Sequence, residues 1–469
     1  MTCSPVAGGL PEPAAPRGPN GERHDAAATE PAAAASFDPE VLSRLAGTIL
    51  AGNCVAFVGA GFSAAARLPQ WGDLLLKIAR ESDLSSPEAT EIEALVRRGS
   101  AHAFERAAQM VRDRVGPPRF LELLRRHMVP TDNPVMQRRQ WLMKRIPFRL
   151  ILTTNFDGLL NGDVPGKKEY MEALRGDARR WWNAAYVDED REEGAKVLKL
   201  HGDLSAAAAD GQIVLSSVDY RRRLYGDASY VMFLRNILAT TTVLYLGFSF
   251  EDAYLNELRS EVLATMGDPG PKAPPLAYAL MADVPPLTVQ HYREHEGVQI
   301  LPYSTKGQDD HGAFDACLEA LYEATHPRCI LRRLLAGRRI LWIDPEPENN
   351  GLAYSFLQRA KVTIVMCRSG SDGLERMERA QSGGHPFDLV ITHWGYSTPT
   401  PAGPGTARYV LREMRVRDLR APVIVFSSPA SAKALTAEAL SRGALAYHFG
   451  YEGLFQEIQR LFARVSSEA

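Results

Sequence analysis

The sequence predicts an α/β protein: a Rossmann-like doubly wound parallel sheet with helical inserts, followed by a flavodoxin-like (βα)5 domain. Three observations carry this. Short, continuous apolar runs recur at Cys54 to Val58, Phe148 to Leu152, Val197 to Leu200, Val243 to Leu246, Ala277 to Leu280 and Val298 to Leu301, with helical patterns between most of them. Runs of that kind make strands buried on both faces, and their alternation with helices makes a parallel sheet. A second alternation, five strand–helix units long, begins at ILWID near residue 340 and fits one small doubly wound domain. Finally, 469 residues exceed what a single hydrophobic core organises.

Composition supports ordinary globular domains, with 45% hydrophobic and 23% charged residues. Lys and Arg total 54 against 56 Asp and Glu, a net charge of -2, so no global field points to nucleic acid. The basic clusters Arg221 to Arg223 and Arg138 to Arg149 read as solvated helix faces. Cys3, Cys54, Cys317, Cys329 and Cys367 are scattered, with no CxxC pair or His/Cys cluster at ligand spacing, so neither zinc nor another metal is expected and a reducing compartment is. No apolar run is long enough for a bilayer and no basic-then-apolar leader opens the chain; the expected location is the cytoplasm, with no membrane partner.

In chain order, residues 1–36 are dominated by Ala, Pro and Gly and read as a disordered tail, although alanine-rich segments can also become helical. A helix begins after Phe37, where Asp38 is placed to cap, Pro39 and Glu40 occupy the first turn, and Leu42, Leu45, Ala46 and Leu50 recur at helical spacing until Gly52-Asn53. The first domain is assigned to 37–330. Two inserts interrupt it, a helical one from about Leu74 to Val129 and a polar, charged one from Asn161 to Lys196; segments of that size after strand ends usually cap a pocket. A basic linker is placed at 331–337, and the second domain at 338–469, with strands ILWID, KVTIVM, DLVIT, PVIVFSS and ALAYHF.

In open α/β sheets ligands sit beyond the carboxyl ends of the strands. Four early strands end in polar clusters: GAGFS (Gly59 to Ser63), TTNFD (Thr153 to Asp157), HGDL (His201 to Leu204) and GFSFED (Gly247 to Asp252). Singly each has a plain explanation. Gly59 and Gly61 relieve a tight turn, Asn155 or Asp157 caps a helix starting near Gly158, and His201 is a satisfied strand-end histidine. Jointly they suit a dinucleotide. Gly59, Ala60 and Gly61 would let backbone N–H groups approach a pyrophosphate at a helix N-terminus, with Ser63 adding a hydroxyl. Asn155 would hold a ribose hydroxyl or a water, Asp157 would fix that loop, and His201 would act as general base.

In order and separation, GAGFS with LPQW, then TTNFD, HGDL and LGFSFED, resemble the NAD-binding domain of the sirtuins, above all their bacterial defence-associated branch, over roughly residues 37–330. The resemblance implies catalytic roles for Asn155 and His201, with Asp157 as supporting acid. It implies NAD contacts at Gly59, Ala60, Gly61, Phe62, Ser63, Thr154, Gly247, Phe248 and Ser249, and places Trp71 and Asp73 in a flexible loop over the nicotinamide. The chain departs from deacylating sirtuins in lacking the zinc ribbon, in carrying PxW at residues 69–71 instead of PxFR, and in having Arg67 where Gly is usual. The resulting expectation is an NAD glycohydrolase, NAD being the substrate, that acts as a regulated antiphage effector. NAD-dependent deacylation, ADP-ribosyl transfer and non-catalytic NAD or ADP-ribose sensing are the rival readings.

The second domain resembles a response-regulator receiver, but its phosphoacceptor position is His393, its acidic pair is reduced to Asp344 before Pro345, and its lysine position is Gly450. Phosphotransfer is therefore not expected. Asp344 and Glu346 are either a cation site or, the favoured reading, exposed loop acids. A sensing or assembly role is expected, with self-association and an activating protein or phage component as partners.

Overall fold

The computed structural model describes residues 37–175, 194–204, 213–250, 252–266, 273–307, 310–395, 407–427 and 432–468. The expected tail (1–36), the middle of the polar insert (176–193), Glu251 and the start of the helix expected after Ala430 lie outside them.

Strands β1 (Cys54–Val58), β2 (Leu150–Thr153), β3 (Val197–Lys199), β4 (Thr242–Leu246), β5 (Ala277–Ala282) and β6 (Val298–Tyr303) form one parallel sheet in the order β3-β2-β1-β4-β5-β6. This is the Rossmann order, whose two halves meet between β1 and β4. Along β1 the pleat sends Cys54, Ala56 and Val58 to one face and Val55 and Phe57 to the other, and both sets are buried. That explains the unbroken apolar run.

Helix α1 (Pro39–Leu50) starts as expected, with the Asp38 carboxylate accepting from the Glu40 N–H at 2.9 Å. Its buried stripe is Val41, Leu45, Ala46 and Ile49, whereas Leu42 and Leu50 are half-buried beside it. The helical insert comprises α2 (Trp71–Arg80), α3 (Ser86–Arg98), α4 (Ala101–Val115) and α5 (Pro117–His127). It has its own core of Leu74, Leu75, Ile78, Ala107, Val111 and Leu124, which also takes in Leu204, Ile213 and Leu215. Helix α6 (Pro134–Arg145) leads into β2, and α7 (Lys167–Arg175) opens the polar insert. Then α8 (Ser217–Gly226), α9 (Ala228–Thr240), α10 (Ala253–Met266), α11 (Pro286–His295) and α12 (Gly312–Thr325) complete the first sheet's helices.

Helix α13 (Pro327–Leu335) occupies most of the segment expected as a linker. Leu331 and Leu335 are buried in the second sheet's core while Arg332 and Arg333 face out; apolar residues four apart beside arginines are an amphipathic helix. Strands β7 (Arg339–Ile343), β8 (Thr363–Cys367), β9 (Leu389–Thr392), β10 (Val423–Phe426) and β11 (Ala446–His448) follow. They alternate with α14 (Gly351–Arg359), α15 (Gly370–Ser382), α16 (Ala407–Val416), α17 (Ala432–Ser441) and α18 (Tyr451–Glu468). Their parallel order, β11-β10-β9-β7-β8, is flavodoxin-like.

Candidate active site

The glycine turn sits at the switch point of the first sheet, and the structure gives its glycines a definite task. The Gly59 N–H donates to the Leu246 carbonyl and the Gly61 N–H to the Gly247 carbonyl, both at 2.9 Å. The loops after β1 and β4 thus bond directly to one another. A Cβ on Gly59 would lie 2.6 Å from the Gly247 oxygen, and one on Gly247, whose φ is +62°, would collide with the Phe62 backbone nitrogen. Close backbone approach is what glycine uniquely allows. This corrects the expected pyrophosphate cradle in two respects. The N–H groups of Gly59, Gly61 and Phe62 are engaged within the protein, and Ala60–Ala66 is a 3₁₀ turn, not an α-helix. Ala60, Gly61 and Ser249 remain exposed on the rim.

Beside the turn lies a buried polar network. The Asn155 Nδ2 donates to the Gly59 carbonyl at 3.0 Å and to Ser63 Oγ at 3.1 Å, and Ser63 Oγ donates to Asp157 Oδ2 at 2.9 Å. Both amide hydrogens of Asn155 are therefore occupied, which leaves Oδ1 as the atom of that side chain able to meet a ligand. Asp157 does not cap a helix at Gly158, since residues 157–160 are bends; its Oδ1 accepts from the Leu159 N–H at 3.0 Å in a local turn. Burial pushes the Asp157 carboxyl above the usual carboxylate range, with the Leu159 N–H and the Ser63 hydroxyl pulling back.

Lys199, which sequence reading passed over, is fully buried. Its Nζ donates to the Asp157 carbonyl and pairs with Asp203 Oδ1 at 3.0 Å, so it ties the TTNFD loop to the HGDL loop. The signal was available: a lysine inside an apolar strand must bring its own acceptors.

His201 stands on the edge of the sheet that Asn155 occupies. In the register Thr153 pairs with Lys199, and Asn155 and His201 each follow one of these paired residues by two. The imidazole is 5% exposed, and its Nε2 is buried without a hydrogen-bond partner. The Tyr220 ring meets it edge-on, centroids 5.2 Å apart at 84°. Burial lowers the imidazole from the ordinary 6.5 to about 4, opposed by the Asp252 carboxylate and assisted by the Arg223 cation. The ring is neutral at physiological pH, the form that accepts a proton.

The remaining expected residues divide. Thr154 lies half-buried at the β2 end, its N–H donating to the Val58 carbonyl at 3.3 Å. The Phe62 ring is fully buried in the core against Phe314, and Phe248 packs against Phe57, Tyr245 and Phe250. The Phe62 side chain thus lies in the core, while Phe248 is half-buried. Trp71 and Asp73 are in the first turn of α2, not in a loop; Trp71 packs near Phe156 while Asp73 is exposed.

The Arg138 to Arg149 stretch is also corrected. Arg139 is 2% exposed, donates to the Phe62 carbonyl at 2.7 Å and pairs with Asp315, clamping the glycine turn from beneath. Arg221 and Arg222 are exposed as expected.

At the second sheet's carboxyl edge Asp344 is buried and not an exposed loop acid. Its oxygens accept from the Glu346 N–H and the Asn350 Nδ2, both at 2.8 Å, while Glu346 is exposed. His393 accepts from the Gly395 N–H on Nδ1 at 2.9 Å, and its Nε2 lies 3.1 Å from Ser427 Oγ. Among the described residues no cluster of three His, Cys, Asp or Glu can hold a metal, and no helix is long and apolar enough to cross a membrane.

Comparison with known proteins finds similarities over this first domain. Residues 149–301 match the SIR2-like domain family. The chain is similar to the NAD(+) hydrolase ThsA of Enterococcus faecium, 27% identical over 48% of this chain and 43% of the relative, and to that of Acinetobacter baumannii, 24% identical over 47% and 42%. It is also similar to defense-associated sirtuin 2 of Bacillus subtilis, 25% identical over 53% of this chain and 23% of the relative. The chain thus spans less than half the length of these curated relatives. Among solved structures, the receiver domain of Francisella response regulator 1452 is 17% identical, with 28% of this chain and 99% of that one covered and a TM-score of 0.23. At that score the likeness says nothing about function.

Proposed function

We propose that this chain is an NAD glycohydrolase acting in antiphage defence, with His201 as base and Asn155 as the residue that positions water. The observation that carries the reading is the buried, neutral imidazole whose Nε2 has no partner, on the same sheet edge as Asn155 with its Oδ1 available. A buried polar atom left unsatisfied is costly unless a ligand completes it. The similarity to proteins named NAD(+) hydrolase supports the choice of substrate.

In this mechanism the bond between ribose C1′ and nicotinamide breaks, and nicotinamide leaves with the electron pair. Water held by Asn155 Oδ1 adds its oxygen to C1′ and gives a proton to His201 Nε2. The products are ADP-ribose, nicotinamide and a proton. The transition state is cation-like, so holding the ribose and the water in place supplies most of the acceleration, and no covalent nucleophile is needed. Asp157 and Ser63 act one step back, orienting the Asn155 amide. The second domain is proposed as a regulatory module without phosphotransfer, because a histidine, His393, stands at the phosphoacceptor position, held by Gly395 and Ser427, and Asp344 is held separately by the Glu346 N–H and Asn350.

Incubating the protein with NAD and following nicotinamide release tests the reading. His201→Ala and Asn155→Ala are each expected to lower release by about 10²–10⁴-fold, the usual range for losing a general base. Release only with an acyl-lysine peptide would mark a deacylase, labelled protein a transferase, and NAD binding without turnover a sensor.

A further inference from the structure

The segment between His201 and α8 packs on the helical insert and returns to the histidine. The carbonyl of His201 accepts from the Val214 N–H at 3.0 Å. Beyond the histidine in sequence, Leu204, Ile213 and Leu215 are buried in the insert's own core, and Arg125 of α5 donates through Nε to the Leu204 carbonyl at 3.2 Å.

The start of α8 is held by the insert as well. Asp219, 3% exposed at its side chain, receives the Ser216 N–H and hydroxyl, and both its oxygens accept from Arg112 Nη1 of α4, at 2.8 and 2.9 Å. The next residue is Tyr220. Its ring abuts the imidazole edge-on, its hydroxyl donates to Asp252 Oδ2 at 3.1 Å, and Tyr254 stacks on its far side at 4.6 Å. Asp252 and Arg223 are the charged groups that act on the imidazole, and Glu105 of α4, Asp252 and Tyr230 act on Tyr220.

We infer that Tyr220 is a positioning residue for His201, and that the helical insert sets it in place through the Arg112–Asp219 pair. Sequence reading gave this insert the role of a cap over the pocket; here it is the mount for one wall of the site. The physical basis is that an imidazole with an unpartnered Nε2 has no hydrogen bond there to fix its plane, so its orientation depends on what packs against the ring. A Tyr ring pinned at its hydroxyl end by Asp252 and at its backbone end by Asp219 is such a support. Small displacements of a reacting group are costly, with about 10²-fold lost per ångström.

The inference rests on the assignment of His201 as base, so its test has a readout independent of turnover. In the full chain, Tyr220→Leu is expected to lower kcat for NAD cleavage by about 10²-fold with KM changed less than about 3-fold, the pattern of lost transition-state geometry. Arg112→Gln should act in the same direction, Arg112→Lys should restore part of the loss, and Tyr220→Leu with Arg112→Gln should cost little more than Tyr220→Leu alone, since both act through one ring.

In parallel, the His201 ring carbon resonance, assigned by its loss in His201→Ala, should shift in Tyr220→Leu and in Arg112→Gln. Wild-type kcat in both variants, or an unmoved His201 resonance, overturns the inference. If the wild-type chain cleaves no NAD, the functional reading falls and the resonance alone decides this one. Should Tyr220→Leu fail to fold, Tyr220→Phe keeps the ring and removes only the bond to Asp252. It must still move the resonance and lower kcat, by about 10-fold, for the inference to stand.

Discussion

The two sheets of this molecule are built alike and finished differently. Each is parallel, doubly wound and buried on both faces, and each carries a histidine just past a strand at its carboxyl edge. In the second sheet His393 has a neighbour at both ring nitrogens, the Gly395 N–H and Ser427 Oγ, and Asp344 has donors on both oxygens. In the first, Asn155, Ser63, Asp157 and Lys199 satisfy one another, yet His201 Nε2 is left without a partner. Position at a strand end is therefore not what makes a site. An unpartnered ring nitrogen is not sufficient either, since His448 Nε2 at the end of β11 also lacks a hydrogen-bond partner; what supports the proposed site is His201 Nε2 together with the Asn155 network on the same sheet edge.

The sharpest way to break this contrast is to loosen the surround of the first edge. Lys199→Met removes the buried ammonium that pairs with Asp203 and donates to the Asp157 carbonyl. A loss of roughly 3–5 kcal/mol is expected, as for removing one partner of a buried pair. A urea midpoint equal to that of the wild type would show that the two loops do not depend on this lysine.

A smaller effect follows from pH. Burial lowers His201, and likewise His326, from 6.5 to about 4, so between those values the unfolded chain binds protons that the folded chain does not. Stability is unaffected above pH 7 and falls as pH drops through 6.5 toward 4, by up to roughly 3 kcal/mol per histidine. Thermal melts at pH 7, 6 and 5 should show the decline, and His201→Gln should flatten part of it. Nicotinamide release should persist well below pH 6.5, because the imidazole stays neutral there.

The smallest effect belongs to the second edge. Ser427→Ala removes one neighbour of His393 and should cost about 0.5–1.5 kcal/mol, the usual net value of one hydrogen bond. NAD cleavage by the folded protein should not change; a loss of cleavage at full folding would mean that the second edge takes part in the chemistry.

Much of this architecture was legible in the linear order. The apolar runs at Cys54 to Val58 and Val243 to Leu246 became adjacent central strands, Asp38 capped the first helix, and the polar clusters fell at strand ends, because pleat, helical period and capping are local rules that a chain obeys residue by residue. The misreadings share one cause. Arg139 looked like a surface arginine, Asp344 like an exposed loop acid, and Tyr220 went unnoticed beside the Arg221 to Arg223 cluster, each because burial is set by distant segments.

By itself, then, the sequence determined the two parallel sheets, the strand ends where polar residues would gather, and the residue types Asn155 and His201 brought there. Only the tertiary structure decided that the glycine N–H groups bond to the neighbouring loop, that Lys199 and Arg139 are buried, and that His201 is left neutral and unpartnered against Tyr220. Local patterns follow from the chain's own geometry, whereas the state of a buried polar group depends on which distant segments withdraw water from it and which of them supply a partner.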